Sequence, residues 1–241
     1  MSIDSSRLFN RPKLSEIDQA CALCEATDQS AVCRACADSL GRSGRVFVCV
    51  KCALPGASHE VCGKCLSDPP HFDSTVAAFH YRYPLDKLVQ SLKFGADLKL
   101  VRFFSNAIAE AVLSSAGGNR VSPEIVIALP LANQRLKERG FNQAALLAAG
   151  VAKQLKLPVA HGAMLRIRET PPQSGLNREA RIKNIRGAFA CDASLVGKSV
   201  AIIDDVMTTG ATLSEAARTL RNAGAERVEA WVLARALLER S

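Results

Sequence analysis

The sequence predicts an α/β fold: a parallel sheet flanked by helices, with a small N-terminal four-cysteine zinc-ribbon domain. Three observations point there. A short β-branched run, Val200 to Ile203, is followed by two acids, a small hydroxyl-rich loop and a helical pattern. A second apolar run, Ile125 to Leu129, ends at Pro130 and feeds a basic segment. Eight of the nine cysteines form four Cys-x-x-Cys pairs near the N-terminus.

In the first stretch, a continuous apolar run of this kind suits a strand buried on both faces of a parallel sheet. From Leu213 the spacing of Leu213, Ala216, Ala217 and Leu220 predicts a helix to Ala223, with Gly224 as its stop. Between them lie Asp204, Asp205 and the run Thr208, Thr209, Gly210, Ala211, Thr212. A helix N-terminus offers free N–H groups and partial positive charge, which suit a phosphate. Gly210 lets the backbone approach a ligand closely. Carboxylates accept protons from sugar hydroxyls. A ribose 5-phosphate therefore satisfies both halves of the stretch.

The segment after Pro130 carries Leu131, Arg135, Lys137 and Arg139, and a helix is expected from about Asn142 to Leu155. Ligands of open α/β sheets gather outside the carboxyl ends of strands. This second strand end is polar and basic and suits a pyrophosphate. Arg135 can grip it with two nitrogens where a lysine offers one. Earlier in the domain, Ser74 to Tyr81 reads as a strand, and Leu85 to Phe94 and Leu98 to Leu113 as amphipathic helices.

The cysteine pairs are Cys21/Cys24, Cys33/Cys36, Cys49/Cys52 and Cys62/Cys65, separated by 8, 12 and 9 residues. The near-repeat reads as a duplicated unit. So short a segment builds too small a core to fold alone, and tetrahedral zinc on four thiolates supplies the missing energy. Sequential sites are favoured by the matched gaps, while an interleaved pairing stays open. His59 and His71 read as surface histidines, and Cys191 as a small buried hydrophobe. The run Asp68 to Asp73, with Pro69 and Pro70, marks a boundary. The expected organisation is a polar tail over 1–20, a cysteine-rich domain over 21–72 and an α/β domain over 73–241.

The net charge of +8 is uneven. Residues 1–72 hold eight basic and eight acidic side chains, whereas residues 135–186 hold eleven against three. That excess suits a polyanionic ligand. Part of it lies between Arg166 and Arg186, where Arg178 and Arg181 make a candidate loop over the reaction centre. A solvated basic loop and a groove for single-stranded nucleic acid are the other readings, the latter weakened by the absence of aromatics there. No apolar run is long enough to span a membrane, and the N-terminus lacks a signal-peptide core. The expected location is the cytoplasm, where thiols stay reduced.

The run from Val200 to Thr212 resembles the phosphoribosyl pyrophosphate (PRPP) motif of type I phosphoribosyltransferases: four apolar residues, two acids, two apolar, then Thr-Thr-Gly-Ala-Thr. Arg139 to Gln143, Leu92 to Gly95, the run Gln173 to Arg178 and the cysteine module together resemble the ComF family of competence-associated and GntX-type proteins. Ala132 departs from it, since the family often has histidine there. The resemblance implies transfer of a phosphoribosyl group to an unidentified acceptor, and a role in DNA uptake. It assigns the ribose and catalytic contacts to Asp204 and Asp205, and the 5′-phosphate to Thr208 through Thr212. It gives the pyrophosphate, with Mg2+, to Leu129, Pro130, Leu131, Arg135 and Arg139. Single-stranded DNA or DNA-uptake proteins are possible partners. A non-catalytic PRPP sensor, or a DNA-binding factor with the zinc module as docking arm, is the alternative.

Overall fold

The computed structural model describes residues 18–42, 48–56, 60–115, 122–169 and 183–237. The chain divides into two compact units, 1–40 and 41–241. In the first, β1 (Gln19–Ala20) pairs antiparallel with β2 (Thr27–Asp28), and α1 (Arg34–Ser39) follows.

The second unit opens with another cysteine knuckle and the short helix α2 (Gly63–Ser67). Its sheet has four parallel strands: β3 (Ser74–Tyr81), β4 (Ile125–Ala128), β7 (Ser199–Met207) and β8 (Arg227–Ala236). Their spatial order is β3-β8-β7-β4. A one-residue parallel bridge from Val159 to Val126 extends it beyond β4. Helices α3 (Leu85–Gly95), α4 (Leu100–Ser115), α5 (Asn133–Arg139) and α6 (Gln143–Leu155) fall between β3 and the antiparallel pair β5 (Met164–Arg166) and β6 (Phe189–Cys191). Helix α7 (Ala211–Asn222) joins β7 to β8. The apolar stripes of α4, α6 and α7 bury against the sheet, the source of most of its stability. Val200 to Ile203 are wholly buried, as parallel strands covered on both faces must be.

The predicted strands and helices are present, with three differences. Strand β7 runs on to Met207, so Asp204 and Asp205 lie inside it rather than after it. Its ladder to β8 continues past them, through Asp204↔Val232 and Val206↔Ala234, although β4 stops at Ala128↔Ile203. The basic segment expected as a loop instead forms α5, closed by Gly140 in the left-handed conformation (φ 80°). The third difference is β8, whose apolar run is broken by Glu229 and Arg235 and so reads poorly as a buried strand. Both side chains are satisfied inside the fold: Trp231 Nε1 and Arg227 Nε donate to Glu229, and Arg235 donates to four backbone carbonyls.

The second cysteine knuckle is stitched to this sheet. Thr75 of β3 donates to it twice, N to Val50 O at 2.9 Å and Oγ1 to Lys51 O at 2.5 Å. Cys49, Cys52, Cys65 and Phe72 share one buried apolar cluster with Met207, Leu213 and Leu220. Among the described residues, no helix is long and apolar enough to cross a membrane.

Candidate functional site

The strand register joins the two half-sites. Ala128 lies opposite Ile203, and Leu129 N donates to Ile203 O at 2.9 Å. The turn Leu129 to Leu131 therefore sits beside Asp204 at the carboxyl ends of β4 and β7. Asn142 fixes the turn from the other side: its Nδ2 donates to Leu129 O at 3.0 Å while its Oδ1 caps α6 through Ala144 N. A cavity of about 180 Å3 opens here. Leu129, Pro130, Leu131, Arg135, Arg139, Asp204, Asp205, Thr208 and Thr212 line it. Arg166, the first residue of the candidate loop segment, lines it too, as do Lys93, Asn142 and Gln143, to which the sequence assigned no ligand contact. The signal for Lys93 was its place in the Leu-Lys-Phe-Gly run. Thr209, Gly210 and Ala211 line a second cavity of about 310 Å3 on the knuckle side of the loop. Arg178 and Arg181 lie outside the described residues.

The acids are held in unlike surroundings. Asp205 is buried, and its Oδ2 pairs with Lys93 Nζ at 2.9 Å. Asp204 is half-buried and accepts from Asp205 N at 2.8 Å. Burial first, and the Asp205 charge second, push the Asp204 carboxyl up to about 7, against the pull of Lys93 and Arg139. Arg139 donates to Gln143 Oε1 and lies over the Phe94 ring at 5.5 Å. Burial pulls its guanidinium below the ordinary arginine range, with the Asp205 charge acting the other way. At the start of α7, Gly210 adopts φ 81°, a conformation open to glycine and strained for other residues. The helix amides that follow point toward the loop, the arrangement that binds phosphate.

The cysteines fall into two sequential clusters, Cys21/Cys24/Cys33/Cys36 and Cys49/Cys52/Cys62/Cys65, each with its sulfurs within 4.8 Å of one another. This settles the pairing in favour of sequential over interleaved sites. The clusters share one design. In each, the third cysteine's N–H donates to the first sulfur at 3.3 Å (Cys33 to Cys21, Cys62 to Cys49). Each places a left-handed residue, Glu25 or Ala53, after the second cysteine, and each third cysteine caps a short helix. The Cys24–Cys33 and Cys52–Cys62 sulfurs stand 3.7 and 3.8 Å apart. A tetrahedron of Zn–S bonds near 2.3 Å has edges of about 3.8 Å. The donor set and spacing therefore fit zinc, and none of the cysteines is in a disulfide.

Residues 142–240 match the phosphoribosyl transferase domain. The DNA utilization protein YhgH of Salmonella typhimurium is 32% identical over 222 residues, spanning 90% of this chain and 97% of that protein. The chain belongs to the ComF family. Within the ComF relatives, Competence protein F of Haemophilus influenzae is 35% identical over 179 residues, 73% of this chain and 78% of its own. Competence protein ComFC of Bacillus subtilis is 28% identical over 203 residues, 80% and 79% of the two chains. This ComF chain thus combines a phosphoribosyltransferase-like fold with two four-cysteine clusters able to hold zinc.

Proposed function

We propose that this ComF protein binds PRPP with Mg2+ at the carboxyl ends of β4 and β7 and transfers the phosphoribosyl group to an acceptor. The observation that carries the reading is the register that puts the Leu129 turn beside Asp204 in one cavity. A ligand there meets a pyrophosphate cradle, two carboxylates and a phosphate loop in the order that PRPP presents them.

In the reaction the bond from ribose C1 to pyrophosphate breaks and a bond to the acceptor forms, through an oxocarbenium-like transition state. Asp204 and Asp205 accept the ribose hydroxyl protons and place negative charge near the developing cation. Thr208 and Thr212, with the α7 amides, hold the 5′-phosphate. Arg135 and Arg139 neutralise the departing pyrophosphate. Magnesium, when bound with the ligand, would take oxygen ligands and would screen the phosphate charge. Asp204 and Asp205 are the acidic groups lining the cavity that can face it. Zinc in the cysteine clusters is structural. The competence and DNA-utilization names of the relatives support a place for this activity in DNA uptake.

Titration calorimetry with PRPP and Mg2+, alongside a pyrophosphate-release assay over nucleobases and amines, tests this. Saturable binding is expected in the wild type, and its loss in Asp204→Asn/Asp205→Asn with thermal stability retained. Equal affinity in the double variant would refute the site. Binding without release for any acceptor would favour the sensor reading.

A further inference from the structure

We infer that Arg235 is a positioning residue through which the second cysteine cluster holds the phosphate loop in place. This rests on the reading of Thr208 to Thr212 as the 5′-phosphate loop.

Arg235 is the penultimate residue of β8 and is 1% exposed. Burying a guanidinium so completely is costly unless its nitrogens are all used. Its nitrogens divide between two places. Nε donates to Cys52 O at 2.6 Å, inside the second Cys-x-x-Cys turn. Nη1 donates to Met207 O at 2.9 Å and to Thr208 O, the last residue of β7 and the first of the loop. It also closes on its own neighbour, Ala236 O, at 2.7 Å. The rigid fork of arginine can reach the knuckle and the loop together, and the single nitrogen of lysine cannot.

Packing also joins the two sides, since Cys52, Cys65 and Phe72 share an apolar cluster with Met207 and Ala211; Arg235 adds the hydrogen bonds that tie the Cys52 carbonyl to those of Met207 and Thr208. The knuckle's Cys52 and Cys65 and the loop's Thr209, Gly210 and Ala211 face one another across the cavity of about 310 Å3. Arg235 itself lines that cavity and bridges its two walls. A metal-loaded cluster of four thiolates is net negative, which supplies the counter-charge a buried guanidinium needs. Metal at Cys49, Cys52, Cys62 and Cys65 therefore fixes the Cys52 carbonyl, Cys52 fixes Arg235, and Arg235 fixes the start of the loop. The knuckle acts here as part of the ribose-phosphate site rather than as a detached arm.

The pyrophosphate turn gives an internal control, because Leu129 to Leu131 is held by Asn142 and Ile203 and not by Arg235. The test uses the full zinc-loaded chain, with Arg235→Met and Cys62→Ser compared to wild type. Affinities for ribose 5-phosphate and for inorganic pyrophosphate are measured by calorimetry, and amide exchange is followed by mass spectrometry. Both variants should weaken ribose 5-phosphate by about tenfold or more and leave pyrophosphate within about twofold. Both should speed exchange across residues 207–212. Arg235→Lys should rescue little, since its one nitrogen cannot span the two acceptor groups. Unchanged ribose 5-phosphate affinity and loop exchange in Arg235→Met would overturn the inference. So would a parallel loss of both ligands, which marks general damage to the fold. If wild type binds neither ligand, the ligand reading fails, and faster loop exchange in both variants still supports the strut.

Discussion

Among the described residues, the partly buried Asp73 and the buried Glu215 are neutralised by near neighbours. Asp73 Oδ2 accepts from Val228 N at 2.8 Å and from Arg221, and Glu215 accepts from Gly187 N and Arg218. Asp204 differs, because burial, and after it the charge of the adjacent Asp205, disfavours its ionised form. Its proton is held to about 7, against 3.8 for an ordinary aspartate. Between those values the folded protein binds a proton that the unfolded chain releases. Its contribution to stability is thus complete below 3.8 and is lost as pH rises through about 7. Ribose binding has the opposite sign, because a hydroxyl needs the ionised acceptor. Affinity for PRPP with Mg2+ should therefore rise with pH through about 7. In Asp204→Asn that step should vanish, leaving only the titration of the ligand's own phosphate, whose second pKa is near 6. Lys93 lowers the Asp204 proton affinity, so Lys93→Met should move the midpoint upward. Calorimetric titrations on both sides of neutrality check both variants. A midpoint that ignores Lys93 would remove Asp204 from the ligand's reach.

At the scale of elements, the site depends on how α6 lies on the sheet. Its first turn carries Gln143 and Ala144 into the site cavity, and its middle crosses α4. The two helices meet closely at Gly150, where an added Cβ would stand 2.2 Å from Ser105 Oγ and 2.6 Å from Ser105 Cβ. Ser105 is buried at 1% exposure, so nothing can swing aside. Gly150→Ala gains about 1 kcal/mol of helix propensity. Overpacking costs about 1–3 kcal/mol, and contacts this short put the cost at the upper end. Denaturant unfolding should show a net loss, partly recovered by adding Ser105→Gly. A more stable Gly150→Ala would mean that the helices are free to part. These contacts also show what sequence could and could not disclose. Periodicity disclosed α3, α4, α6 and α7, because each buries one stripe. The order of Asp204, Asp205 and the Thr-rich loop marked the strand end and helix start that the fold brings to the cavity. Glu229 and Arg235 hid β8, since their partners come from Trp231, Arg227, Cys52, Met207 and Thr208, and only folding brings the last three near. Lys93 was hidden as a site residue for the same reason: its partner Asp205 is 112 positions away in the chain.

Across the whole molecule, two clusters of one design have different surroundings. In the first, Cys24 is exposed and Cys33 and Cys36 are half-buried. In the second, Cys49, Cys52 and Cys65 are buried, in the same apolar cluster as α7. A chelator must reach the metal, and release must disrupt whatever packs on the ligands. The first site has little of its own to disrupt. The second is joined to β3 by Thr75 and to β8 by Arg235, so opening it disturbs the core of the larger unit. Two zinc ions per chain are therefore expected by native mass spectrometry, leaving in two steps under a chelator. The fast step should bring no change in near-ultraviolet circular dichroism from Trp231, which is buried in β8. The slow step should be accompanied by loss of that signal. A single step, or a Trp231 signal that falls with the first ion, would show that the two clusters are not held independently.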